Sequence, residues 1–262
     1  MVTVFLGGGL GNQIFQVAAA YNLSLDNEDS AEFNFNTSHT PHQGNEALKY
    51  KNNVFKEFIH NDSPIVENKF RQSGHKYEII PYSKNLQLEG FFQSEKFFLN
   101  NKEEIINKLI KGLHNEENKV KNVSDFIEKL KPNKIVAIHV RLGDYLKFTN
   151  IHPPCTLNYY NKALFLLREK IGDFIPIFLS DNKQWCKDNF KGSIISPFID
   201  EVEDMLLMSK CDHNIIANSS FSWWGAYLNT HPNKIVIAPK IWFGSGGPPD
   251  QEDTIPKNWI KI

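Results

Sequence analysis

Apolar residues are spaced along this chain in two alternating rhythms. Residues 2–6 (Val2, Thr3, Val4, Phe5, Leu6) make a short, β-branched run that reads as a strand, and it opens into Gly7-Gly8-Gly9-Leu10-Gly11-Asn12-Gln13. Ile14, Phe15, Val17, Ala18 and Tyr21 then recur on one helical face, which predicts a helix over 14–25. Residues 30–75 are polar and mixed, with weak signals of either kind. Leu86-Gln87-Leu88-Glu89 predicts a strand that enters Gly90-Phe91-Phe92-Gln93-Ser94-Glu95. Ser94 is placed to cap a following helix with Phe97, Phe98, Ile105, Ile106 and Leu109 as its stripe.

The second half alternates more cleanly. Strands are predicted at 134–139, 175–179, 213–217 and 235–238, and helices at 158–169, from Glu203 to Lys210, and through Trp224 and Leu228. That βαβ rhythm predicts an α/β fold with a parallel sheet. Residues 111–133 are charged and poor in apolar residues and end on Lys131-Pro132-Asn133, so the boundary between two domains, 1–132 and 133–262, is placed there.

Composition narrows the partners. The 262 residues suit one large or two small domains, and a net charge of −1 gives no basic field for nucleic acid or an anionic membrane. Recognition of phosphate must therefore be local. Cys155, Cys186 and Cys211 are odd in number and far apart, which argues against a disulfide framework or a zinc site and fits a reducing compartment. No signal-peptide pattern or membrane-length apolar run is present, so a soluble cytoplasmic protein is expected. The 20 phenylalanines fill a core or line a sugar or base site.

Three predicted strands run out into polar clusters: His139-Val140-Arg141-Leu142-Gly143-Asp144, Ser180-Asp181-Asn182, and Asn218-Ser219-Ser220-Phe221-Ser222. In a parallel sheet all three open on one edge, where ligands of open α/β sheets bind. The planar fork of Arg141 suits a phosphate, and Ser219 and Ser220 begin a helix whose free N–H groups attract anions. Two plainer readings stay open: Asp144 bracing Arg141 in a turn, and simple capping by Ser219 or Ser220. No Asp-X-Asp pair and no His-X-X-X-His spacing occurs, so no metal site is expected. Against Gly-X-Gly-X-X-Gly, the register from Gly7 and Gly9 ends on Asn12, which breaks the dinucleotide fingerprint and makes an oxidoreductase a distant alternative.

Together these segments resemble glycosyltransferase family 11, the inverting α1,2-fucosyltransferases. The resemblance is carried, in order and over nearly the whole chain, by residues 8–16, 90–95, 139–145, 178–182 and 218–226. It implies a GT-B-like pair of Rossmann-like domains facing across a cleft, the first on the acceptor side and the second binding the GDP-sugar. The donor it implies is GDP-β-L-fucose, with no further cofactor, and the acceptor a glycan ending in a β-galactoside. By that resemblance Arg141 grips the β-phosphate, and His139 and Asp181 lie near guanine or ribose. Asn218, Ser219, Ser220 and Phe221 present the helix start to the diphosphate. Gly9 and Gly11 let backbone approach the ligand, and Asn12 lies near phosphate and fucose. Many relatives carry a second arginine where this chain has Leu142. Asp144, Glu95 and His152 are candidates by type for the base that takes the acceptor proton, and Gln93 and Glu95 for the acceptor region. A transferase for another GDP-sugar and a non-catalytic nucleotide- or glycan-binding protein are the alternatives.

Overall fold

The structure is a computed structural model and describes residues 1–36 and 46–262. The chain divides into two compact units, Met1–Glu116 with Pro248–Pro256, and Glu117–Gly247 with Lys257–Ile262.

The first unit contains β1 (Val2–Val4), α1 (Leu10–Asp26), β2 (Glu32–Phe33), β3 (Ile59–His60), β4 (Asn68–Arg71), β5 (Leu86–Glu89) and α2 (Lys102–Leu113). Strands β1, β5 and β4 lie side by side in that order, all parallel, and β2 pairs with β3. Helix α1 begins at Leu10, earlier than its apolar stripe predicts. Its first turns bury Asn12, Gln13 and Gln16, polar residues that interrupt the periodicity and form hydrogen bonds inside the fold. Ser94 does cap, but it caps the short 3-10 turn Glu95–Phe97; α2 starts later, behind Asn101. Of the weakly patterned 30–75 segment, residues 37–45 lie outside the described residues. Asp250 and Asp253 attach the late 248–256 segment to this unit by accepting the backbone N–H groups of His75, Lys76 and Tyr77.

The second unit contains α3 (Glu117–Glu128), β6 (Ile135–Val140), α4 (Leu157–Ile171), β7 (Ile175–Ser180), α5 (Lys183–Asn189), β8 (Ile194–Ile195), α6 (Glu201–Lys210), β9 (His213–Ile215), α7 (Ser220–Tyr227), β10 (Val236–Ala238) and β11 (Ile260–Lys261). The described strands form one parallel sheet in the order β11-β10-β9-β6-β7-β8. Read from β8, this is the 3-2-1-4-5-6 order of a Rossmann sheet, with the order reversing between β6 and β9. Every residue of β6 is buried, as the central strand of a two-faced sheet requires. Thr156 caps α4 by accepting from Tyr159 N at 3.2 Å, and Tyr160, Ala163 and Leu167 pack it onto the sheet.

The units divide at Glu116, not at Pro132. The polar appearance of α3 hides a packed face: the Phe126 ring meets Phe198 at 5.7 Å, Lys119 pairs with Asp200 at 3.2 Å, and Asn122 bonds Glu203 at 3.0 Å, all within the second unit. Helix α5 and strands β8 and β11 are absent from the sequence reading because each is too short to show a period.

Candidate active site

In the second unit the residues after β6, β7 and β9 converge at the carboxyl edge of the sheet, and β6 and β9 flank the point where strand order reverses. Arg141 sits one residue beyond β6. One terminal nitrogen pairs with Asp144, and the other lies 3.1 Å from Asp181 Oδ2. Asp181 Oδ1 also accepts the Leu142 backbone N–H at 3.0 Å, so one carboxylate fixes both the guanidinium and the loop behind it. Gly143 is required by this closeness, since a Cβ there would meet Asp181 Oδ2 at 2.5 Å. The Arg141 guanidinium also lies over the Tyr145 ring, 5.4 Å from its centroid. Two carboxylates and a ring hold the fork in one orientation. Its other N–H groups have no partner among the described residues, which leaves them for an anion.

Both readings of Asp144 therefore coexist with an anion site: it braces Arg141, and its Oδ2 is buried without a partner. Leu142 is buried in the hydrophobic core. Arg141 is accordingly the cation of the His139–Asp144 motif.

His139 is the last buried polar residue on β6. Its ring lies 5.4 Å from that of Phe221 on the first turn of α7, and its Nδ1 is buried without a partner. Burial first, and then the Arg141 charge, push its pKa down to about 3, so the ring is neutral at physiological pH. The sign of the consequence is definite. Unfolded His139 takes up a proton below its ordinary value of 6.5 while the folded ring refuses it until about 3, so its contribution is stability lost as pH falls through that window. The slope approaches about 1.4 kcal/mol per pH unit. Urea unfolding at pH 7 and pH 5 is expected to show a smaller acid loss for His139→Gln than for the wild type; equal losses would refute this.

The serine-rich start of α7 is not capped by a side chain. Ser219 occupies the N-cap position with no capping bond, while Ser222 Oγ donates to the carbonyls of Ala217 and Ser219. The N–H groups of the first turn thus keep their partial positive charge beside His139 and Phe221.

Asn218, expected at the start of α7 beside the diphosphate, has its side-chain amide built into the frame. Its Nδ2 donates to the carbonyls of Pro153 at 3.0 Å and Trp242 at 2.9 Å, and its own carbonyl accepts from Tyr145 OH at 2.9 Å. The side-chain donors are spent on tying three loops together. The sequence assigns Tyr145 no role; its spacing of four from Arg141, helical in reach, is the signal that places it. The ring is also stacked on His152 at 4.7 Å, and His152 Nδ1 is buried without a partner. Burial lowers the His152 pKa, against a smaller opposing pull from Asp144. Lys183, Cys155 and Asn182 serve the frame: Asn182 caps α5 by accepting from Trp185 N at 3.0 Å.

The first unit brings two other motif segments together. Gln16 Oε1 accepts from Gly7 N and its Nε2 donates to Gly90 O, both at 2.9 Å, joining the glycine loop to the segment after β5. Gln93 Nε2 donates to Asn12 Oδ1 at 2.7 Å. Asn12 therefore stands on the first turn of α1 rather than in the loop, and its Nδ2 has no acceptor among the described residues. Gly9 and Gly11 are expected beside the ligand, and the backbone adds a third position, one that needs glycine. The structure places the need at Gly8, whose φ is +72° and where a Cβ would collide with Asn12 Nδ2 at 2.2 Å. Gly9 is an extended N-cap whose carbonyl accepts from Asn12 N and Gln13 N, and Gly11 lies inside α1. Glu95 is the first residue of the 3-10 turn capped by Ser94. Among the described residues no three His, Cys, Asp or Glu side chains gather as a metal centre requires, and no helix is long and apolar enough to cross a membrane.

Comparison with known proteins decides what these motifs belong to. The model of glycosyl transferase family 11 matches residues 1–262. The chain belongs to this family. An alpha-1,2-colitosyltransferase of Escherichia coli is 33% identical over an alignment covering 100% of this chain and 99% of that protein. The Bos taurus galactoside alpha-(1,2)-fucosyltransferase 1 is 28% identical, over 37% of this chain and 30% of that protein. The crystal structure of the alpha-1,6-fucosyltransferase NodZ co-crystallized with GDP superposes with a TM-score of 0.53 at 11% identity, covering 87% of this chain and 92% of that one. The family 11 chain thus shares its α/β, GT-B-like fold with solved fucosyltransferases.

Proposed function

We propose that this family 11 protein is an inverting, metal-independent transferase that moves L-fucose from GDP-β-L-fucose to the 2-hydroxyl of a terminal β-galactoside. The observation that carries this reading is the fixed fork of Arg141 at the β6–β9 switch point, beside the uncapped start of α7 and the unpartnered Nδ1 of His139. In the reaction the acceptor oxygen attacks the anomeric carbon from the face opposite GDP. The bond from that carbon to the β-phosphate oxygen breaks, and negative charge grows on the departing diphosphate. Donors already aimed at that charge stabilise it without reorganising, so the Arg141 N–H groups and the α7 backbone amides do the electrostatic work. The neutral His139 and the Phe221 ring suit a nucleoside, one offering a hydrogen bond and the other a flat apolar face. Asp144, held by Arg141, acts as a positioning residue. The base that takes the acceptor proton is a group with a free lone pair, and the His152 ring, whose pKa burial lowers, keeps one such nitrogen.

A second reading has a specific observation behind it: the full-length similarity to the colitosyltransferase favours a colitosyl donor in place of fucose. Release of GDP from GDP-fucose, with excess chelator and with or without lactose, tests both. Acceptor-dependent release supports the first reading. Release from the colitosyl donor alone supports the second, and a strict requirement for added Mg²⁺ or Mn²⁺ contradicts the metal-free diphosphate site.

A further inference from the structure

The loop that follows β10 meets the loop that follows β6 inside the second unit, and it carries an aromatic residue, Phe243, to which the reaction at Arg141 gives no part. Gly244 N donates to Ile151 O at 3.0 Å and Gly246 N to Asn150 O at 2.9 Å, so the two loops are joined backbone to backbone. The approach is too close for a side chain, since a Cβ on Gly244 would meet Asn150 O at 2.3 Å. Asn218 ties the same two loops a second time, at Pro153 O and Trp242 O. Those carbonyls belong to the residues next to His152 and Phe243, so the backbone that carries both rings is fixed.

The side chains continue that order. The Arg141 guanidinium lies 5.4 Å from the centre of the Tyr145 ring, Tyr145 stacks on His152 at 4.7 Å and 19°, and His152 meets Phe243 at 5.5 Å and 52°. Tyr145 OH is taken by the Asn218 carbonyl, so Tyr145 meets His152 with its ring alone. Phe243 is itself buried. Burial acts most on the His152 proton and lowers the pKa, while the charged groups facing the ring oppose each other, Asp144 raising it and Arg141 lowering it. Apolar rings against an imidazole keep water from it, and an imidazole without water holds its neutral form.

We propose that Phe243 is a positioning residue that fixes the His152 ring against Tyr145 and shields it from water. A base has to be both aimed and unprotonated, and Phe243 serves both conditions. Its effect on transfer rests on the reading above, in which His152 takes the acceptor proton.

The test uses Phe243→Leu on the full chain, which keeps most of the apolar volume and removes the flat ring. NMR of the imidazole nitrogens follows the titration of His152, whose signal is assigned by its loss in His152→Gln. The midpoint is expected to rise by about one pH unit in Phe243→Leu, toward the ordinary 6.5, as water reaches the ring. Phe243→Tyr, which keeps the ring, is expected to titrate like the wild type. The acid limb of the kcat/KM profile is expected to move up with the NMR midpoint, and GDP affinity, read by calorimetry, to stay unchanged. A Phe243 that merely fills the core would lower the melting temperature and leave the His152 midpoint where it is, and that result overturns the proposal. The wild type gives a check that needs no variant: nuclear Overhauser contacts between the His152 and Phe243 ring protons are expected, and their absence overturns it too. A raised midpoint with an unmoved acid limb supports the hold of Phe243 on His152 and counts against His152 as the base, so the two failures are told apart.

Discussion

Arg141→Ala is expected to cut fucosyl transfer by about a hundred- to a thousandfold, the usual effect of removing one preorganised donor from developing negative charge. The protein is expected to stay folded. Arg141 is partly exposed, so Asp144 and Asp181 gain water where they lose their cation, and Asp181 keeps its bond to the Leu142 N–H. Turnover, GDP calorimetry and a thermal melt together check this: activity and GDP affinity lost, with the melt close to that of the wild type. Arg141→Lys keeps the charge but loses the two-pronged geometry that Asp144 and Asp181 impose, so it is expected to recover only a small part of the activity. Near-normal turnover of Arg141→Ala would remove the residue from the mechanism.

Asn218→Ala is expected to be the most damaging single substitution to stability in the second unit's site. It strips the Pro153 and Trp242 carbonyls of their donor in a buried place, and each unsatisfied group costs about 1–3 kcal/mol. A loss on the order of 3 kcal/mol in urea unfolding follows. Activity is expected to fall as well: the backbone carbonyl of residue 218 that accepts from Tyr145 remains, but the segment carrying it loses its ties to Pro153 and Trp242, and Tyr145 underlies both Arg141 and His152. A loss below about 1 kcal/mol would mean that these carbonyls find other partners.

The contrast between these two residues shows what the sequence makes legible. Arg141 follows a fully buried apolar strand, and a polar cluster released at the end of such a strand is visible in one dimension. Asn218 stands in an equally suggestive cluster, but its role depends on carbonyls from Pro153 and Trp242, distant in sequence, which no local pattern reveals. Helix α4 was readable as 158–169 from its pattern, and the structure extends it to Leu157–Ile171 between Thr156 and Gly172. Helix α3 carries Val120, Val123 and Ile127 at helical spacing, continued by Leu130 past its end, with Val123 buried, and the charged residues that surround this thin stripe mask it in the sequence. The glycine loop was legible as a turn, yet which glycine it needs was not. That is settled by the approach of Asn12 to Gly8, and Asn12 is in turn held by Gln93.

The account stands or falls on the bond that is made. Incubation with GDP-β-L-fucose and N-acetyllactosamine, with linkage and anomeric configuration of the product read by NMR, measures it directly. The expected product carries α-linked fucose on the 2-hydroxyl of galactose. A β-linked product, substitution at another hydroxyl, or no acceptor-dependent product would contradict it.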